Sequence, residues 1–275
     1  MERPDRTRVI AVWSRKGGNG KTTVASNLAY DLSDMGYRVL AIDSDSQCDM
    51  TCTLLPQYTD IKGKDLYQAM ARRRDISRYT VETDYEGLDI VPGSAMMEEL
   101  ERTLSTLSHD VAIDALKDCL EDTISDGAYD FIVIDTDKSM GLLNKAILNA
   151  SDHVIVLAEC SFYSVKALLP VTDRIEQVRE TNPSLTCLGM VFNKVNSRKL
   201  EVKNAMADTR EIFPWPVFDA FISNDAAVER SQRECLPLKE YAKNSRANEQ
   251  MLDLTREVLS KMGIGGGADG EETGD

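Results

Sequence analysis

The chain has 275 residues, 42% of them apolar, enough for a full core, so global disorder is excluded. No run of about 18 apolar residues exists to span a membrane, and the charged start, Met1–Arg8, has no apolar signal segment behind it, so a cytoplasmic protein is expected. The net charge of −14 argues against nucleic acid as a partner, but the balance is uneven: positions 191–261 hold 12 Lys/Arg against 11 Asp/Glu.

Val9–Trp13 is a short apolar run rich in β-formers, the pattern of a buried strand. It leads into Lys16-Gly17-Gly18-Asn19-Gly20-Lys21-Thr22-Thr23, and a helical stretch opens at Thr22. Strand, glycine loop and helix in this order form the context of a phosphate loop. Glycines let successive N–H groups turn inward, and the helix N-terminus adds unpaired donors and partial positive charge. Lys21 is placed to reach β- and γ-phosphates, and the Thr22 hydroxyl to hold Mg²⁺. The strict phosphate-loop pattern requires glycine at position 15; this chain has Arg15 there and a second lysine, Lys16, beside it.

Val24, Leu28, Leu32 and Met35 share one helical face, and Gly36 is placed to cap that helix. The strand Val39–Ile42 then delivers Asp43 and Asp45 to its carboxyl end, where doubly wound sheets place their ligands. The span 54–68 reads as loop followed by helix. Arg72, Arg73, Arg74 and Arg78 form a basic run, read as a solvated face. A strand and turn follow at Leu88–Gly93, then helical spacing over Met96–Leu107 and Val111–Ile124.

Tyr129–Asp135 is a buried strand ending in an acid, the pattern of a carboxylate that holds Mg²⁺ through water. Further strands are predicted at Asp152–Leu157, with His153 in a structural role, and at Thr186–Phe192. Helices are predicted at Leu168–Val178 and Ser245–Met262. The stretch 195–212, with Lys194 before it, carries Arg198, Lys199, Lys203 and Arg210, cations suited to neutralising phosphates without reading bases. Regular alternation of strands and helices predicts an α/β fold: a single doubly wound, mostly parallel sheet with helices on both faces. It would span residues 9–262, after a short extension at 1–8. The tail 263–275, glycine-rich with Asp269, Glu271, Glu272 and Asp275, is expected to be disordered. The six cysteines (Cys48, Cys52, Cys119, Cys160, Cys187 and Cys235) include no C-x-x-C pair, which points to reduced, structural thiols and away from a zinc or iron–sulfur site.

The loop K-G-G-N-G-K-T-T resembles the deviant Walker A loop of the ParA/MinD superfamily of P-loop ATPases, and most closely the ParA/Soj-type partition ATPases. The resemblance continues in A-I-D-S-D-S-Q (41–47), G-L-D-I-V-P-G-S (87–94), I-V-I-D-T (132–136) and A-E-C-S-F-Y-S (158–164). It implies ATP and Mg²⁺ as cofactors and a homodimer that sandwiches ATP. Lys16 would reach across the seam to the partner's phosphates, and Gly17, Gly18, Asn19, Gly20, Lys21, Thr22 and Thr23 would hold the nucleotide. Asp45 would position the attacking water. Asp135, Thr22 and Asp43 would serve the metal, and Asn193 would hydrogen-bond the adenine. Where the family continues D-T-P-P-S, this chain reads Asp135-Thr136-Asp137-Lys138-Ser139.

The resemblance further implies non-specific DNA binding through arginines, here Arg198 with Lys199, Lys203 and Arg230. The family's I-P-R-N arginine is absent from Ile222-Ser223-Asn224-Asp225, leaving Arg230, Arg233 or Lys243 to compensate. A ParB-like activator protein would stimulate slow hydrolysis and mark a plasmid, chromosome or protein cargo, and DNA binding would place the protein on the nucleoid. Eight residues before the first strand leave no room for a helix-turn-helix, as in short ParA forms. The alternative is a MinD-like or flagellar-number ATPase on a membrane surface, which needs a basic amphipathic C-terminal helix. The acidic tail speaks against it, so no stable membrane association is expected. An iron–sulfur carrier of the same superfamily and a catalytically dead scaffold are the remaining readings.

Overall fold

The computed structural model describes residues 3–57, 63–159, 164–196 and 200–264. The side chains at 164–169, 200–203 and 205 lie outside this description, as do the connection 58–62 and the tail from 265. The strands are β1 (Arg8–Trp13), β2 (Val39–Asp43), β3 (Val81–Glu82), β4 (Leu88–Val91), β5 (Phe131–Asp135), β6 (His153–Glu159), β7 (Thr186–Val195) and β8 (Val217–Ser223). They form one eight-stranded sheet in the order β3-β4-β2-β5-β1-β6-β7-β8. Every described pairing is parallel except β3 with β4, a two-residue antiparallel edge.

Parallel strands need crossovers, and helices supply them. In chain order these are α1 (Lys21–Asp34), α2 (Asp49–Leu54), α3 (Leu66–Arg72), α4 (Met97–Ser105), α5 (His109–Ser125), α6 (Leu142–Asn149), α7 (Ser164–Arg179), α8 (Leu200–Ile212), α9 (Ala226–Arg233), α10 (Leu238–Ala242) and α11 (Arg246–Lys261). The period-2 alternation of the central strands splits their side chains between two cores. Val9, Ala11 and Trp13 of β1 face α3 to α7, while Ile10 and Val12 face α1, α2 and α11. β1, β5 and β6 read as unbroken apolar runs because both of their faces are covered.

The helix expected to open at Thr22 runs from Lys21 to Asp34, and Gly36, at φ 90°, follows its C-cap Met35. The predicted strand at 186–192 continues to Val195, with Lys194 at φ 56°. The elements that went unpredicted include α6, α9 and α10, together with α2, β3 and β8. α2 is hidden in an acidic, polar stretch, and β3 has only two residues. β8 alternates irregularly because it is an interrupted partner of β7. Of the basic run, Arg73 turns back to pair with Asp118 of α5, and Arg72 and Arg74 are exposed.

Since β1, β2, β5, β6 and β7 are parallel, their carboxyl ends share one edge of the sheet. The loops after β1, β2 and β5 emerge side by side. Register pairs Val12 and Asp43 with Asp135, which sets the two acids next to the start of the glycine loop.

Candidate active site

The glycine loop leaves β1 at Ser14 and ends where α1 begins. Gly20 is the N-cap of α1 at φ 82°, ψ 28°, a left-handed conformation that favours glycine. A Cβ there would stand 2.2 Å from Asn193 Nδ2, so the position also has no room for a side chain. Asn193 Nδ2 donates to the Asn19 carbonyl at 2.7 Å, and the Asn19 amide donates to Ser14 Oγ at 2.7 Å. The loop is thereby closed from inside and braced from β7. No side chain caps α1, which leaves its first N–H groups for an anion. Lys21 is buried yet lines the cavity in front of the loop.

Two acids at neighbouring strand ends have opposite surroundings. Asp43 is fully buried and accepts from Thr51 N (2.8 Å), Thr51 Oγ1 (2.7 Å) and Asp45 N (3.2 Å). Burial nevertheless pushes its pKa up to about 6. Asp135 is equally buried, and neither carboxylate oxygen has a hydrogen-bond partner. Its pKa stands well above the usual carboxylate range, through burial first and the Asp43 charge second. The nearest favourable groups are the Thr22 hydroxyl, short of a well-formed hydrogen bond, and the Lys21 ammonium. An unpartnered buried carboxylate is costly. A hard divalent cation relieves that cost, and Asp135 with Thr22 supplies the oxygen donors such an ion prefers. The residues therefore fit Mg²⁺. Asp43, expected to serve the metal, stands beside Asp135 and also braces α2 through Thr51.

The cavity in front of the loop has a volume of about 630 Å³, within the usual range for a small-molecule site. It is lined by the glycine loop, Lys21, Asp45 and Lys138, and by Asn193, Asp225, Val228 and Gln232. Asp45 is half-buried and folds its Oδ1 back on Gln47 N at 3.0 Å. Gln232 Nε2 donates to Thr23 Oγ1 at 2.6 Å and ties α9 to the start of α1. Lining acids outnumber lining lysines, so a polyphosphate needs a companion cation to enter.

The structure thus gathers Gly17, Gly18, Gly20, Lys21, Thr22, Thr23, Asp45 and Asn193 around one cavity, with Asn19 and Asp135 immediately behind them. Lys16 is exposed on the rim, and its ammonium pairs with Glu159 at the end of β6. Asn193 lines the cavity, but its amide is engaged by Asn19 and by Lys194 N (2.8 Å). Arg198 and Lys199 lie outside the described residues, as does the side chain of Lys203 on α8; Arg230 is exposed on α9. Sequence reasoning missed Gln232, which nothing in its local pattern marks. It noted Lys138 only as a departure from proline.

The cysteine expectation needs correction. Cys52 of α2 and Cys235, just past α9, form a disulfide with Cα atoms 5.5 Å apart and 183 residues between them in sequence. No local spacing announces a pair that only the tertiary fold brings together. The bond flanks a small cavity lined by Thr22, Thr23 and Gln232, beside the phosphate site. Cys119 and Cys187 are buried free thiols, pushed by burial to about 11 and about 12.

A family model described as an AAA domain matches residues 7–187. The chain is 31% identical over 255 residues to the chromosome partitioning protein ParA of Caulobacter vibrioides, covering 92% of this chain and 94% of that one. Among solved structures, cobyrinic acid a,c-diamide synthase of Mycobacterium smegmatis with a bound ATP analogue and magnesium is 25% identical, with a TM-score of 0.80 over 93% of this chain and 95% of that one. The septum site-determining protein MinD of Pyrococcus horikoshii, complexed with Mg-ADP, shares the fold at 23% identity, with a TM-score of 0.74 over 94% and 98% of the two chains. Sequence, sheet order and phosphate loop agree: the chain belongs to the ParA/Soj-type partition ATPases of the ParA/MinD superfamily.

Proposed function

We propose that the protein is an ATP-hydrolysing positioning switch that dimerises around ATP, binds DNA non-specifically and is reset by a ParB-like activator. The observation that carries the reading is the bare Asp135 carboxylate beside Thr22 and Lys21, at the foot of an uncapped helix start. Thr22 and Asp135 would hold Mg²⁺, which when bound neutralises charge on the β- and γ-phosphates. The glycine-loop N–H groups and Lys21 hold the phosphates. Asp45, just past the end of β2, orients the attacking water. Asn193 and Gln232 frame the base end. Lys16 on the rim is available to a second protomer once it leaves Glu159. ATP would order the dimer and its basic surface, with Arg198, Lys199, Lys203 and Arg230 as phosphate contacts, and hydrolysis would release it. Its cargo would be a plasmid, chromosome region or protein assembly.

A membrane-surface role finds less support. The apolar face of α11 (Ala247, Met251, Leu254, Val258) is packed in the core against α1 and does not face outward. The test measures Mg²⁺-dependent ATP turnover, sedimentation with ATP and with ADP, and DNA retention across salt concentrations. The expected result is a dimer and salt-sensitive DNA retention with ATP only, both lost in Lys16→Ala. A protein that stays monomeric and free of DNA with ATP and Mg²⁺ would overturn the partition mechanism.

A further inference from the structure

The sequence puts a lysine where the resemblance leads to proline, in the loop after β5. That loop is firmly held. Thr136 Oγ1 donates to the Val12 carbonyl at 2.8 Å, which ties the end of β5 to the end of β1. Asp137 Oδ1 accepts from Ser139 N at 3.0 Å and from Asn144 Nδ2 at 2.5 Å. Asn144 is itself buried, and also donates to the Ser139 carbonyl at 2.6 Å. Asp137 Oδ1 is therefore engaged within its own loop, and among the described residues Lys138 forms no salt bridge.

Lys138 runs along the glycine loop. A Cβ built on Gly17 would stand 3.3 Å from Lys138 Cδ, so the aliphatic stem lies against the loop backbone, and the residue lines the cavity. Among the described residues, the cavity is lined by three lysines: Lys21, Lys138 and Lys194. Lys194 follows Asn193 near the end of β7. Lys16, the cation that the family uses across the dimer seam, is on the rim and paired with Glu159. Lys138 is thus a second lysine beside Lys21, its stem against the glycine loop at Gly17.

We propose that Lys138 is a second phosphate ligand acting in cis, its ammonium holding the terminal phosphate of the bound nucleoside triphosphate from the Gly17 side of the loop. The proposal rests on the ATPase reading and adds to it a source of triphosphate recognition that needs no partner protomer. A flexible ammonium can follow the phosphate as its charge grows, which a proline in this position cannot do. Cost and benefit are both local, because the residue is exposed and its replacement removes no core contact.

The experiment measures equilibrium binding of Mg-ADP and of the non-hydrolysable adenosine 5′-(β,γ-imido)triphosphate to the full chain, to Lys138→Met and Lys138→Arg, and to both in a Lys16→Ala background. Loss of one charge-assisted contact weakens the triphosphate by about tenfold and ADP by less than about twofold, and arginine recovers most of the loss. The same loss persists with Lys16→Ala. Unchanged triphosphate affinity in Lys138→Met would overturn the assignment, as would an equal loss for both nucleotides, which marks a disturbed loop. A loss that vanishes in the Lys16→Ala background would overturn the cis role. If the unaltered protein binds neither nucleotide, the ATPase reading itself falls, a result distinct from all of these.

Discussion

The phosphate end of the cavity and the C-terminal wall of α9 to α11 treat buried polar groups in opposite ways. At the phosphate end, Asp135 is buried with both oxygens bare, and the start of α1 has no cap. In the wall, polar groups are paired. Leu238 N donates to Asn27 Oδ1 at 2.7 Å, Asn248 Nδ2 to the Lys243 carbonyl at 2.8 Å, and Glu257 accepts from Asp219 N and Ala220 N at 3.0 and 2.9 Å. Helix α1 lies between the two regions, with its N-terminus in the first and its flank against the second. The difference teaches where a ligand belongs. A buried carboxylate left bare in a cleft marks a place for a group from outside the protein.

The largest effect expected from this contrast is at Asp135. Asp135→Ala should reduce Mg²⁺-dependent ATP turnover by about 100-fold or more, the scale of removing one preorganised electrostatic group. It should leave thermal stability unchanged or raised, since it removes a buried charge without a partner. Turnover assays and melting curves on the same preparation decide it. A variant that melts lower would break the comparison, because Asp135 would then be structural.

The second effect concerns the staple between the two regions. The Cys52–Cys235 bond joins α2, which Asp43 braces, to the connection after α9. Replacing both cysteines by serine should lower unfolding free energy by about 2–4 kcal/mol. Nucleotide affinity should fall much less, because among the described residues no cysteine lines the cavity in front of the phosphate loop. Denaturant unfolding of both proteins, with and without a thiol reductant, checks this. Reductant should shift the unaltered protein alone, and equal curves would mean that the wall needs no staple.

The same contrast explains what could be read from the sequence. The phosphate end uses backbone N–H groups and charges at fixed spacing along one strand–loop–helix unit, so Gly17–Thr23 and Asp135 announce themselves locally. The sheet was legible too, because strands buried on both faces are unbroken apolar runs. The wall is assembled from residues remote in sequence. Gln232 meets Thr23, and Cys235 meets Cys52, across roughly two hundred residues of chain. Such pairs have no local period. Asp43 shows the same limit at close range: its position at a strand end was readable, but its commitment to Thr51 depends on α2, a helix whose polar sequence concealed it.

The smallest effect tests the wall where it departs from its own rule. Asp31 of α1 is buried against α11, and Thr255 Oγ1 donates to its Oδ2 at 3.2 Å. Burial pushes its pKa from 3.8 up to about 7, against the opposing pull of Thr255 and Lys239. Between about pH 4 and pH 7 the unfolded chain has released this proton while the folded chain keeps it. The folded state therefore binds more protons, and stability falls as pH rises through that window, levelling off above it. Asp31→Asn keeps an acceptor for Thr255 and removes the titration. The shift sets an upper limit of about 4 kcal/mol, and relaxation around the site leaves an expected gain of about 1 kcal/mol at pH 8, with none at pH 4. Melting temperatures of the two proteins across pH 4–8 should diverge upward with pH. Parallel curves would place Asp31 among the satisfied groups of the wall, and the bare acid of the phosphate end would then stand apart from every acid along α1.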